Sequence, residues 1–256
     1  MPEGAPVLVA VAHGSVDPRA SATIGELMAS VAERAAERGL GALDLRTAFL
    51  GHAPPSLPQV VGTIEPDRQV RVLPLLLTSA YHSKADIPRM LTRVSSEFPR
   101  LQVSYGATLG PHPRLLRALE RRLAEADPQS LDPGRSGTGV VLAAAGSSDP
   151  EANATIARLA AQWQERAGWF AVRPAYACAA DPSPAEAVTG LLQAGARRVV
   201  VATYLLAPGF FADRIRTSSL AAGAAAVSAA LGACPEVADV LLDRFTEAGT
   251  RRRTAA

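Results

Sequence analysis

Cysteine is nearly absent from this 256-residue chain: only Cys178 and Cys234 occur. Two distant cysteines with no metal-type spacing support neither a disulfide framework nor a zinc site, and a reducing, cytoplasmic setting is expected. Charge of one sign is equally scarce, with 26 basic and 24 acidic residues giving a formal net charge of +2. Lysines and arginines are scattered, apart from Arg251-Arg252-Arg253. There is no basic stripe of the kind nucleic acid demands, so no nucleic-acid partner is expected. No apolar run reaches the length of a membrane span, so no membrane partner is expected either. The Ala-rich stretch Leu220–Leu231 is too short and too weakly apolar, and reads as a structural helix. The N-terminus lacks a basic segment followed by an apolar one, which argues against a signal peptide. Neither Gly-x-Gly-x-x-Gly nor Gly-Lys-Ser/Thr occurs, so nucleotide-phosphate binding has no support. Histidine is rare too: His13, His52, His82 and His112 are all there are.

What is present is centred on Val70–Met90, VRVLPLLLTSAYHSKADIPRM. Val70–Leu77 is an apolar run relieved only by Arg71, as in a strand buried on both faces. Small and polar residues around His82 follow it. Asp86-Ile87-Pro88 then opens a helix, with Asp86 as the expected N-cap and Pro88 in the first turn. In an open α/β sheet, ligands sit just outside the carboxyl ends of the strands, which is where His82 falls.

The rest of the first half repeats that arrangement. Strands are expected at Val7–Ala12, Leu43–Leu50 and Leu101–Ala107, and helices at Ala20–Arg38, Pro55–Ile64, Ile87–Phe98 and Pro113–Ala126. The first strand ends at His13-Gly14-Ser15 and the second at Gly51-His52. Strand–helix alternation implies parallel sheets covered by helices on both faces, an α/β fold. Asp127–Gly139 has the Pro, Gly and Ser content of a linker.

After it the pattern restarts. Gly146-Ser147-Ser148-Asp149-Pro150 repeats four of the five residues of Gly14-Ser15-Val16-Asp17-Pro18 at an offset of 132. Asp181-Pro182-Ser183 echoes Pro54-Pro55-Ser56, and Ala207–Ile215 aligns with Ser79–Ile87 at an offset of 128. The chain reads as two copies of one α/β unit: a lobe over residues 1–127, a linker over 128–139 and a second lobe over 140–256. All four histidines lie in the first copy. Ala145 stands opposite His13, and Phe210 opposite His82. The first copy is therefore expected to carry the chemistry. The second supplies a facing wall, with Phe210 and Phe211 either lining a cleft or buried as core.

Histidines at the ends of neighbouring parallel strands can face one cleft. Neutral imidazole ligates first-row divalent metals and acts as a base near neutral pH. His13 and His82, at equivalent strand ends, are the main candidates for both roles. His52 is a third metal-ligand candidate or a loop residue, and His112, between two prolines, is a turn residue. Ser15 lacks the Gly-x-Ser-x-Gly elbow of a nucleophile and is better read as closing the turn. Gly14 permits that turn. Lys84 and Arg89 either pair with a carboxylate-bearing ligand or are simply solvated.

Three motifs in order resemble the CbiX/SirB family of sirohydrochlorin chelatases, in its long two-repeat form. They are His13-Gly14-Ser15-x-Asp17-Pro18-Arg19, Phe49-Leu50 with Pro55-Ser56-Leu57, and Pro74-Leu75 with His82 and Asp86-Ile87-Pro88. The resemblance implies two flavodoxin-like, chelatase-like lobes around a central cleft. It implies ATP-independent insertion of Co2+ or Fe2+, with Ni2+ used by related proteins, into a tetrapyrrole substrate on the way to cobalamin or sirohaem. The metal is then a substrate, and no permanently bound cofactor is expected. His13 and His82 match the family's two active-site histidines, which hold the metal and accept pyrrole protons. Relatives often carry Glu where Gly51 stands, so His52 is expected as the replacement ligand. Tyr81 replaces a small residue and is expected to stack on the macrocycle or narrow the cleft. Gly14, Ser15, Ser79, Tyr81, Lys84, Phe210 and Phe211 form the expected substrate-binding set. A monomer is expected, because the duplication can supply both lobes in one chain. Two other readings are a metal or metallo-tetrapyrrole carrier of the same fold and a His-Gly phosphatase. Ala12, where such a phosphatase has arginine, counts against the second.

Overall fold

The computed structural model describes residues 6–41, 43–79, 86–131 and 133–253. In chain order the regular elements begin with β1 (Val7–Ala12), α1 (Pro18–Glu37), β2 (Asp44–Phe49) and α2 (Leu57–Val61). Next come β3 (Gln69–Pro74), α3 (Ile87–Glu97), β4 (Gln102–Tyr105) and α4 (Pro113–Ala126). The second half has β5 (Thr138–Ala144), α5 (Pro150–Ala167), β6 (Ala171–Tyr176) and α6 (Pro184–Gln193). It closes with β7 (Arg198–Tyr204), α7 (Phe210–Ala221), β8 (Ala226–Val227) and α8 (Pro235–Arg253).

Two four-stranded sheets result, in the orders β2-β1-β3-β4 and β6-β5-β7-β8. Every pairing is parallel. This confirms the α/β expectation, and the order is that of the first four strands of a flavodoxin-like sheet. All six residues of β1 are buried, as a central strand covered on both faces requires. Val7, Val9 and Val11 pack with Leu57, Val60 and Val61 of α2 and Ile87 and Val94 of α3. The alternate residues point to the opposite face. In α1, Ile24, Leu27, Met28, Val31 and Ala35 form one buried stripe at helical spacing. Asp17 caps α1 by accepting from the Arg19 amide, and Pro18 opens it.

The chain divides into two compact units: Met1–His112 with Ala233–Ala256, and Pro113–Gly232. The boundaries differ from the expected 1–127, 128–139 and 140–256. Helix α4 follows the first sheet in sequence but belongs to the second unit, and α8 follows the second sheet but belongs to the first. In the first unit, Arg34 of α1 donates from Nε and Nη2 to Asp239 of α8, both at 2.9 Å. Arg38 reaches Asp239 and Asp243 at 2.8 and 2.7 Å. Arg71 in β3 lies over the Phe245 ring, 4.5 Å from its centroid, and donates to the Phe245 carbonyl. In the second unit, Trp163 of α5 donates to Glu120 of α4, and Arg198 pairs with Asp127. The stripe Leu115, Leu116, Leu119 and Leu123 is buried there. Periodicity defines such a stripe without saying which sheet it covers. The expected linker is not open coil either: short 3-10 turns occupy Pro128–Leu131 and Pro133–Gly137.

Two further expectations are corrected. The Ala-rich Leu220–Leu231 is not a helix. Helix α7 ends at Ala221, Gly223 takes a left-handed φ of 98° and Ala226–Val227 pair with β7. Strand pairing there overrides alanine's helix propensity. The strand expected over Val70–Leu77 stops at Pro74.

Candidate functional site

In the first unit the site is assembled by backbone before side chains enter. Gly14, just past β1, adopts φ 86°. A Cβ at Gly14 would lie 1.8 Å from the Gly51 carbonyl oxygen, so only glycine fits. The Gly51 amide donates to the His13 carbonyl (3.2 Å), and the Leu50 amide to the Ala12 carbonyl (2.9 Å). The turn after β1 and the turn after β2 are thus laid against each other. Ser15 Oγ accepts from the Asp17 amide, closing the turn as expected.

This close approach brings His13 and His52 together. Their rings lie 6.1 Å apart, centroid to centroid, at an interplanar angle of 23°. β2 has ended at Phe49, so His52 is released from strand alternation, and it takes a left-handed φ of 61°. His13 Nδ1 is 3.1 Å from the Gly14 carbonyl oxygen. Since that oxygen only accepts, the bond selects the tautomer protonated at Nδ1. Imidazole ligates a metal or accepts a proton through a ring nitrogen that carries no hydrogen.

The two imidazoles line a cavity of about 350 Å³ with Leu50, Gly51, Asp86, Arg89 and Met90. It sits past the carboxyl ends of β1 and β2 and at the start of α3, on the side where such sheets receive ligands. Asp86 stands at the N-cap position of α3, as expected, but its backbone is helical and its carboxylate makes no capping hydrogen bond. It lines the cavity instead. Asp86, Arg89 and Met90 share one helix face by their i, i+3 and i+4 spacing. That spacing was the sequence signal available for Met90, which motif reading passed over.

Tyr81, His82 and Lys84 lie outside the described residues. Ser79 is exposed beyond the end of β3. Among the described residues no group of three or more His, Cys, Asp or Glu is gathered as a metal cage. His112 immediately precedes α4, and its Nε2 is 3.9 Å from Asp243, away from the cavity-lining set. Phe210 and Phe211 open α7 in the second unit. They are 72% and 37% exposed and packed edge to face at 5.5 Å; of the two expected roles, core burial is excluded. Among the described residues, no helix is long and apolar enough to cross a membrane.

The second unit keeps the same backbone without the imidazoles. Gly146 has φ 88°, and a Cβ there would lie 1.9 Å from the Cys178 carbonyl oxygen. Ala179, the counterpart of His52, has φ 59°. The Cys178 amide donates to the Ala145 carbonyl at 2.9 Å, as Gly51 does to His13. The family model CbiX matches this chain twice, over residues 7–126 and 139–248.

The chain belongs to the CbiX family. It is 28% identical over 173 residues to the sirohydrochlorin cobaltochelatase of Priestia megaterium, a match covering 67% of this chain and 56% of that protein. It is 28% identical over 182 residues to the sirohydrochlorin ferrochelatase of Bacillus subtilis, covering 70% of this chain and 68% of that one. The matched part of this CbiX member thus spans little more than half of the cobaltochelatase. The solved structure of SirB from Bacillus subtilis with Fe3+ superposes with a TM-score of 0.78 at 24% identity, covering 97% of both chains. That likeness establishes a shared chelatase-like fold.

Proposed function

We propose that this protein is a sirohydrochlorin chelatase. It inserts Co2+ or Fe2+, with Ni2+ as a third candidate, into the tetrapyrrole without ATP, on the way to cobalamin or sirohaem. The observation that carries the reading is the family match across both copies. Two relatives named as sirohydrochlorin chelatases, one for cobalt and one for iron, support the substrate class.

The chemistry needs a weakly held cation and acceptors for two pyrrole protons. His13 and His52 share one cavity, and neutral imidazole can meet either need. A closed four-ligand cage would retain the metal, whereas an open site with few protein ligands can pass it to the ring. His82, at the equivalent strand end in sequence, is assigned as the partner of His13, and His52 as a further ligand. Gly14 and Ser15 shape the turn that presents His13. Ser79, Tyr81, Lys84, Phe210 and Phe211 are assigned to the macrocycle. The protein acts as a cytoplasmic monomer, a reading supported by its duplication and by its two cysteines, neither of which is in a disulfide.

An anaerobic absorbance assay with sirohydrochlorin and each metal tests this. Multiple turnovers above the protein-free rate are expected. His13→Ala is expected to lower turnover by about 10²–10⁴-fold, the usual contribution of a positioned proton acceptor. Stoichiometric binding without acceleration would mark a carrier instead, and an unchanged rate in His13→Ala would remove His13 from the mechanism.

A further inference from the structure

The charged groups lining the histidine cavity are Asp86 and Arg89, three residues apart at the start of α3. A metal ion gives no reason for a guanidinium beside two imidazoles, since like charge opposes the cation. The second unit offers an internal comparison. Ile87 and Ile215 are both fully buried and equivalent in the repeat, which sets Arg89 opposite Thr217 and Asp86 opposite Arg214. The scaffold positions persist between copies: Gly14 with Gly146, Asp17 with Asp149, Ser56 with Ser183. Among the positions that change are three that line the cavity, with His13, His52 and Arg89 opposite Ala145, Ala179 and Thr217. At position 89 the guanidinium gives way to a threonine hydroxyl in the copy without imidazoles, while that copy carries Arg214 where Asp86 stands.

We propose that Arg89 is a binding residue for a peripheral carboxylate of the macrocycle, and that it sets the edge by which the ring enters the cavity. The inference rests on the chelatase reading above and adds to it a residue with a defined ligand group. At about 350 Å³ the cavity is too small to enclose a tetrapyrrole, so it meets one part of the ring. Sirohydrochlorin carries acetate and propionate side chains around its rim. Arginine presents a planar fork of donors that matches a carboxylate in two parallel hydrogen bonds. A carboxylate seated there orients the ring relative to His13 and His52, so that the metal and the pyrrole nitrogens can meet. Arg89 is exposed and its helix face opens on the cavity, so the site is reached from solvent without rearranging the core.

The test is equilibrium binding of metal-free sirohydrochlorin, followed by fluorescence quenching, to the wild-type protein, Arg89→Gln and Arg89→Lys. The fully methyl-esterified ring serves as a second probe. Arg89→Gln is expected to weaken binding of the acid by about tenfold or more, the usual size of a charge-assisted hydrogen bond, with Arg89→Lys in between. The ester should bind wild type and Arg89→Gln alike, and Co2+ binding by the protein alone should be unchanged in both variants. Wild-type affinity for the acid in Arg89→Gln, with metal insertion intact, would overturn this inference and leave the chelatase reading standing. An equal loss for acid and ester would overturn it too, because the residue would then act through packing. If the wild-type protein binds neither ring form, the chelatase reading falls and the inference falls with it. Circular dichroism of each variant separates lost binding from lost folding.

Discussion

The turn after β1 and the turn after β5 are built alike, and in the second an asparagine side chain adds a brace. In the second unit, Asn153 grips the turn with two hydrogen bonds: its Oδ1 accepts from the Ser147 amide at 3.0 Å, and its Nδ2 donates to the Ser147 carbonyl at 2.7 Å. Tyr176 then donates from its hydroxyl to the Asn153 carbonyl at 2.9 Å. In the first unit, Ser21 and Phe49 stand at those positions. Serine is too short to reach both groups, and phenylalanine has no hydroxyl. The asparagine–tyrosine brace is thus a feature of the copy without imidazoles.

The largest effect expected to separate the two units comes from the exchanged helix. Asp239 is buried and held by Arg34 and Arg38. Asp239→Ala removes the buried carboxylate that Arg34 and Arg38 share, which keep Glu37 and Asp243 as partners, and is expected to give the largest loss of stability among these substitutions. The loss should fall on the first unit although the substitution lies near the C-terminus. Chemical denaturation followed by hydrogen exchange checks this: amides of β1 and β3 should lose protection while those of β5 and β7 keep it. Uniform loss in both sheets would mean that the units unfold as one.

A smaller effect bears on the turns. Asn153→Ala removes two hydrogen bonds, worth about 1–2 kcal/mol together. The Ser147 amide is expected to exchange roughly tenfold faster, approaching the rate at Ser15. No change would show that the turn is held by the Gly146 approach alone.

The smallest effect is acid sensitivity. The Arg46 guanidinium, bonded to Asp44, holds the Asp44 carboxyl below its ordinary value, and Arg68 adds to this. A depressed carboxyl contributes stability at and above its ordinary range near pH 4, and that contribution is lost as pH falls through the depressed value. Ala171 stands opposite in the second unit. Asp44→Asn should therefore flatten the acid limb of the first unit's stability by less than about 1 kcal/mol. A change in the second unit instead would contradict the assignment. Asp17 and Glu186, whose carboxyls are also held low by hydrogen bonds, lie at the surface and contribute little.

Much of this was legible in the residues. Alternating apolar runs and capped helices announced parallel α/β sheets, because a strand covered on both faces must be apolar throughout. The repeat of Gly-Ser-x-Asp-Pro announced the duplication, because a turn whose Cβ would strike a carbonyl admits only glycine, and a helix start rewards Asp-Pro. His13 and Phe210 were found as members of such a repeat. The misreadings share one cause. A helix-start position suits Asp86 to a cap, yet position does not say where a side chain turns. Alanine favours a helix over Leu220–Leu231, yet pairing with β7 claims Ala226 and Val227.

The amino-acid sequence by itself determined the two parallel sheets, the duplication and the confinement of imidazoles to one copy, since these depend on local pattern and on residue identity. Only the tertiary structure decided that α4 and α8 change places, that His52 meets His13, and that Asp86 and Arg89 share their cavity. Each of these depends on contacts between segments distant in sequence, and a stripe of leucines or a turn glycine carries no label for its partner.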